Sequence, residues 1–269
     1  MLADIQPSLQ ELLDKAGGIW GIVIEDLTTG EQLVWNEQRP FYAASLIKVP
    51  IMAAVFAEVY NGNRSFADTC LLRQEDLVGG AGVLQHMTPG TAFTLWDLTT
   101  LMIIQSDNTA TNILIDLLGK ERIRQMIQQL GMTNSQFHHK LMIVPAKAEG
   151  SNEVSAAGMA ALFRQLSKGQ ILSYHSCQQM IAILKKQQLR DCLPYYLPEP
   201  DHPVIGGLPL WELANKTGMV RHIQHDVGIL YLGQHAILIA MLSQNVEARL
   251  ARETIGRTGK LLFDHYRQS

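Results

Sequence analysis

Strong charge of either sign is missing from this chain: 22 basic and 25 acidic residues leave a net charge of -3, with no basic tract for a nucleic acid or a membrane surface. Charge therefore nominates no macromolecular partner. Cysteine is scarce as well. Cys70, Cys177 and Cys192 are odd in number and widely spaced, without a C-x-x-C, which argues against a disulfide framework or a metal finger and predicts three free thiols. No run of about 20 apolar residues could span a membrane. The opening M-L-A-D-I-Q-P-S-L-Q lacks the basic flank and long apolar core of a signal peptide. Internal repeats and low-complexity segments are absent too. What is present is apolar material: 47% hydrophobic residues in 269 can bury a sizeable core, as one large domain or two interleaved ones.

The pattern changes twice along the chain. Ile5 to Ala16 has helical apolar spacing and ends at Gly17-Gly18, a C-cap signal. I-W-G-I-V-I-E-D-L and E-Q-L-V-W-N, separated by T-T-G, read as a β-hairpin. From Ser45 to about Leu189 the apolar spacing is helical, as in V-P-I-M-A-A-V-F-A-E-V-Y, L-W-D-L-T-T-L-M-I-I and T-A-T-N-I-L-I-D-L-L-G. After the proline-rich L-P-Y-Y-L-P-E-P-D-H-P, three strand-like runs return, followed by a terminal helix from about Glu247. The expected fold is therefore α/β of the α+β type. An antiparallel sheet is built from the N- and C-terminal segments (1–42 and 190–269) and flanked by helices, with an all-α domain (43–189) inserted and a site in the cleft between them.

Within A-A-S-L-I-K-V-P, Ser45 and Lys48 lie one helical turn apart. A serine hydroxyl is a weak nucleophile unless a base is within reach, and an amine in apolar surroundings loses its proton more readily. Taken alone, S-x-x-K also fits a snorkelling surface lysine. S-D-N, Ser106 to Asn108, also fits an ordinary helix N-cap. K-T-G, Lys216 to Gly218, also fits a charged strand end with a bend. In the order S-x-x-K, S-D-N, K-T-G, with about 60 and about 110 residues between them, the three gain force together.

The chain resembles the superfamily of class A β-lactamases and penicillin-binding proteins, on these motifs and on G-I-V-I-E-D-L-T-T-G-E, A-G-V-L-Q-H-M-T-P-G-T-A-F-T-L-W-D-L and N-K-T-G. The resemblance implies a serine hydrolase acylated at Ser45, with Lys48 as proton acceptor and Ser106 relaying a proton to the leaving nitrogen. Asn108 would hold the substrate's amide, Lys216 and Thr217 its carboxylate, and Gly218 would let it approach the strand. The backbone N–H groups of Ser45 and Met219 would bind the oxyanion. It implies a β-lactam or D-alanyl-peptide substrate, no cofactor, no metal and a monomer. It also implies a secreted or periplasmic location if a leader has been removed, or a cytoplasmic one if Met1 is the native start.

Two departures stand out. The E-x-x-L-N that supplies the deacylating glutamate in most class A enzymes is missing, and its position falls near His139 to Met142, with Glu149 and Glu153 the nearest acids, both too late. Met219 replaces a polar residue. Acylation therefore looks competent and release slow, which keeps a D-alanyl-D-alanine carboxypeptidase, transpeptidase or esterase, and a non-turnover β-lactam sensor, as rival readings. A metal at His138-His139 or His222-x-x-His225 is disfavoured, because adjacent histidines rarely share one ion and residues three apart on a strand face opposite ways. Gly256 to Lys260, G-R-T-G-K, lacks P-loop spacing and is expected on a helix surface.

Overall fold

The computed structural model describes residues 1–142, 150–201 and 204–267. The chain opens with a 3-10 turn, Leu2–Ile5, and α1 (Gln6–Ala16), which stops at Gly17 where the backbone turns to positive φ. The predicted hairpin follows as β1 (Ile19–Asp26) and β2 (Gln32–Trp35). Asp26 Oδ1 ties its turn by accepting from the N–H groups of Thr28 and Thr29 at 2.8 and 3.3 Å, the short-range bond that favours aspartate beside turns. Next come β3 (Phe41–Tyr42), a 3-10 turn at Ala44–Ile47, α2 (Lys48–Tyr60), β4 (Thr69–Leu71) and β5 (Ala92–Thr94). The helices α3 (Leu95–Ile104), α4 (Asn108–Leu118) and α5 (Lys120–Gln129) precede β6 (Glu153–Val154), α6 (Ala156–Ser167) and α7 (Tyr174–Leu184). The chain closes with β7 (Glu212–Val220), β8 (Ile223–Leu232), β9 (His235–Gln244) and α8 (Ala248–Arg267).

The five long strands form one antiparallel sheet in the order β2-β1-β9-β8-β7, so the first and last strands of the chain lie side by side, with Trp20 opposite Ser243. Strand alternation divides its residues between two cores. Trp20, Ile22 and Ile24 of β1 and Ile237, Ile239 and Met241 of β9 pack with Leu9 and Leu13 of α1 and Ile255, Leu262 and Phe263 of α8. The opposite face, with Val23, Leu238, Ala240 and Leu242, joins the core of the helical segment. Each such aliphatic side chain, fully buried, contributes about 1.5–3 kcal/mol. Among the described residues no helix is long and apolar enough to cross a membrane.

At the centre of the second core is α2. Every residue from Val49 to Ala57 is buried, so the helix is apolar on all sides because it is packed on all sides. Lys48, 0% exposed, is the charged exception at its start.

The structure corrects three expectations of detail. K-T-G lies well inside a strand, because β7 runs on through the β-compatible Met219 and Val220. The segment 43–189 is not all-α, because β4 pairs with β5 and β6 pairs with β3, strands too short to have a detectable period. Gly256, Thr258 and Gly259 are buried rather than on a helix surface. A Cβ at Gly259 would sit 2.2 Å from the Leu193 carbonyl oxygen, so the glycine admits the 190–197 segment against α8. The free thiols Cys70, Cys177 and Cys192 are as expected, half-buried in the first and buried in the others.

Candidate active site

Ser45 sits half-buried in the 3-10 turn that feeds α2, one turn before the buried Lys48. Its predecessor Ala44 has a φ of +43°, a left-handed conformation that costs a residue with a Cβ about 1–2 kcal/mol. The N–H of Leu46 closes the turn on the carbonyl of Ala43 at 3.0 Å. Ser106, between α3 and α4, is the second such residue, with φ +53°. Two left-handed non-glycine residues thus occur beside the same cluster of side chains, where strain of this kind concentrates at functional sites.

Lys48 Nζ reaches the Ser106 carbonyl oxygen at 2.5 Å, Ser106 Oγ at 3.1 Å and Asn108 Oδ1 at 2.9 Å. Lys216, also 0% exposed, donates to the same Ser106 Oγ at 3.1 Å and to the Thr217 carbonyl at 2.8 Å. Residues from α2, the α3–α4 junction and β7 therefore converge on one hydroxyl. Burial drives the Lys48 ammonium well below its ordinary range and the Lys216 charge pushes it further, while Asp107 opposes. Burial brings Lys216 down to about 7, against the pull of Asp226. A neutral Lys48 keeps two N–H donors for the Ser106 carbonyl and Asn108, and its lone pair can accept from the Ser106 hydroxyl.

Sequence reasoning did not foresee how this junction is braced. Asp107 caps α4 by accepting from the Ala110 N–H at 2.9 Å, and its other oxygen accepts from the N–H groups of Val83 and Leu84 at 2.6 and 2.8 Å. Asn108 Nδ2 donates to the Gly79 carbonyl at 3.1 Å. A Cβ on Gly82 would fall 2.3 Å from Asp107 Cγ, so glycine is required for the close approach. The detectable signal was the G-G-A-G run, Gly79 to Gly82.

The third motif meets the turn that carries Ser45. A Cβ on Gly218 would lie 3.3 Å from the backbone nitrogen of Ser45 and 3.4 Å from the Ala43 carbonyl oxygen, so β7 packs directly on the serine turn. Thr217 is buried beside it, and Met219, next along the strand, is 58% exposed. β7 is an edge strand, with one side open for an extended ligand to approach.

The model of the β-lactamase enzyme family matches residues 4–266. The chain belongs to that family. Among solved structures it is similar to a β-lactamase of Sphaerobacter thermophilus, with a TM-score of 0.90 and 31% identity over 100% of this chain and 99% of that one. It is also similar to PBP-A, with a TM-score of 0.86 and 26% identity over 100% and 97% of the two chains. A leucine-to-glutamate variant of PBP-A has been solved as an acyl-enzyme complex with penicillin G. A β-lactamase of Proteus vulgaris is 22% identical over 271 residues, covering 97% of this chain and 96% of its own.

In this β-lactamase family member the stretch expected to hold a deacylating glutamate ends in a clamp. Leu141 donates its N–H to Asn112 Oδ1 at 2.9 Å, and its carbonyl accepts from Asn112 Nδ2 at 3.0 Å. The leucine side chain is buried and the following Met142 is 54% exposed. Glu153 lies in β6, paired with Tyr42, and Glu149 lies outside the described residues.

The histidines are engaged elsewhere. His138 Nε2 meets Gln136 Oε1 at 3.0 Å, His139 Nδ1 meets the Lys140 carbonyl at 2.7 Å, and His222 occupies the β7–β8 turn. His225 is fully buried. Its Nε2 donates to the Tyr42 carbonyl at 2.9 Å, and its Nδ1 accepts from the Ser243 N–H at 3.1 Å. Burial lowers its pKa to about 4, so the imidazole is neutral and serves as a strut between β8 and the strand entering the serine turn. Among the described residues no group of three or more His, Cys, Asp or Glu is arranged to hold a metal ion.

Proposed function

We propose that this protein is an active-site serine hydrolase acylated at Ser45 by β-lactam amides, whose acyl-enzyme is released slowly. The observation that carries this reading is the convergence of two buried lysines on Ser106 Oγ. In the proposed sequence Lys48, neutral through burial, takes the Ser45 proton as Oγ attacks the lactam carbonyl. The C–N bond then breaks, and Ser106 passes a proton to the departing nitrogen and regains one from Lys48. General-base assistance of this type is worth about 10²–10⁴-fold. Lys216 and Thr217 hold the substrate carboxylate, Asn108 its amide, and Gly218 leaves room along β7. The oxyanion is assigned to the N–H groups of Ser45 and Met219.

Release needs an activated water, and the candidate position for its base carries the hydrocarbon Leu141. That apolar residue, together with the likeness to PBP-A, favours a second reading, a D-alanyl-D-alanine carboxypeptidase or transpeptidase acting through the same Ser45. Intact-mass spectrometry over time with penicillin G tests both. The expected result is a one-to-one adduct persisting for hours, absent in Ser45→Ala. Rapid turnover without an adduct overturns slow release, and a wild-type protein that never reacts overturns the assignment of Ser45.

A further inference from the structure

Lys216 is fully buried, yet its hydrogen bonds to Ser106 Oγ and the Thr217 carbonyl are to neutral oxygens. A buried ammonium held only by neutral acceptors tends to shed its proton, and a neutral amine is a poor partner for a substrate carboxylate. A carboxylate is buried behind the strand, and its charge opposes the loss of the Lys216 proton. In the β7–β8 register Thr217 stands opposite Asp226 and Lys216 opposite Val227. Asp226 is 0% exposed. Its Oδ1 accepts from Asn215 Nδ2 at 2.8 Å and its Oδ2 from the Leu193 N–H at 3.0 Å. Both oxygens are acceptors, the pattern suited to the ionised carboxylate.

The other groups around Asp226 do not supply Lys216 with a counter-charge. Asp191 is paired with Arg252 of α8 at 3.3 Å. Cys192 is buried, and Gln224 Nε2 donates to its sulfur at 3.1 Å. His225 faces the opposite way, bonded to Tyr42, and β9 offers the neutral Met241 and Ser243. Burial raises Asp226 to about 7 and lowers Lys216 to about 7, and each partner's charge opposes the other's shift.

Building on the assignment of Lys216 as the carboxylate holder, we propose that Asp226 is a positioning residue that keeps Lys216 charged from the far face of β7, and so sets the pH range over which the enzyme captures carboxylate-bearing substrates. Without Asp226 the ammonium is lost at lower pH. A bound substrate carboxylate replaces the missing anion, so the effect falls on the second-order acylation constant, which reports the free enzyme, and spares the rate at saturation.

The experiment measures acylation of the wild-type protein and Asp226→Asn by penicillin G and by penicillin G methyl ester, from about pH 5.5 to about pH 9. With penicillin G, the alkaline limb of the second-order constant should move toward acid by at least about one pH unit, costing about tenfold at pH 8 and much less at pH 5.5. With the ester, which has no carboxylate to capture, any loss should be small and the same at every pH. A pH-independent loss with penicillin G, or an equal displacement of the limb with the ester, overturns the proposal. Should Asp226→Asn fail to fold, Asn215→Leu keeps the carboxylate but removes a bond to its ionised form, and must move the limb the same way by less. An unmoved limb there overturns the proposal as well. A wild-type protein that neither compound acylates at any pH overturns the assignment of Ser45, and the Asp226 proposal with it. A normal wild-type profile beside an unmoved variant overturns the Asp226 assignment alone.

Discussion

Around Ser106, the residues Lys48, Ser106, Asn108 and Lys216 are all buried and joined by hydrogen bonds of 2.5 to 3.1 Å. In the segment where the sequence expects the missing glutamate, the clamp between Asn112 and Leu141 is just as well made, at 2.9 and 3.0 Å, but it serves the backbone and leaves the side chain hydrocarbon. Buried polar networks are costly unless every member is satisfied. The fold bears that cost around Ser106, where two lysines and Asn108 share partners. At Leu141 the polar partner serves the backbone alone. The comparison teaches that good geometry alone does not identify a catalytic wall.

The most drastic way to break the comparison is to remove the base from the polar wall. Lys48→Met should lower the acylation rate constant about 10²–10⁴-fold, while the thermal midpoint holds or rises, because an apolar side chain of similar volume replaces a buried amine. A midpoint that collapses with the activity would make Lys48 a structural residue. A second effect, worth about 3 kcal/mol, tests whether the strut beside that wall is the acid-labile element. His225 has its pKa lowered to about 4, so the unfolded chain binds more protons between that value and about 6.5, and this contribution to stability is lost as pH falls through that window. Denaturant unfolding of His225→Gln beside the wild type should therefore show a stability gap that narrows by about 3 kcal/mol from pH 6.5 to pH 4. A constant gap would mean that the strut to Tyr42 tolerates the imidazolium. The smallest expected effect comes from the clamped segment. Leu141→Glu puts a carboxylate there and should shorten the life of the penicillin adduct about tenfold, below the roughly 10²–10⁴-fold of a well-placed base. An unchanged lifetime in a folded variant would place the water's route elsewhere.

How much of this could be read beforehand depended on where each signal resides. The clustering of Lys48, Ser106, Asn108 and Lys216 is legible because three spaced motifs support one another. The five-stranded sheet was legible because its strands have alternating or continuous apolar runs bounded by turns. The pairing of Phe41–Tyr42 with Glu153–Val154 was not, since two-residue strands have no period to detect. The missing glutamate was visible as an absence near His139 to Met142, but the clamp within that stretch was not. Leu141 is fixed by Asn112, 29 positions away, through backbone groups that sequence does not display. Asp226 was equally silent. In H-D-V-G-I-L-Y-L it looks like a strand's solvent-facing residue, and only the packing of the Leu193 segment over that face turns it into a buried charge.

The adjacency of β1 and β9 also governs how the molecule comes into being. Trp20 cannot meet Ser243 until nearly the whole chain has been synthesised, and closing so long a loop costs entropy before any contact repays it. Until then β1 presents an open apolar edge, and the helix behind Ser45 lacks part of its packing, the combination that invites aggregation during synthesis. Lys48 is made early and Lys216 late, so a chain interrupted before β7 has Ser45, Lys48 and Ser106 but lacks Lys216. Production of active protein should therefore track the completion of the last strands, and truncations at the C-terminal end should fail as a group rather than by degrees.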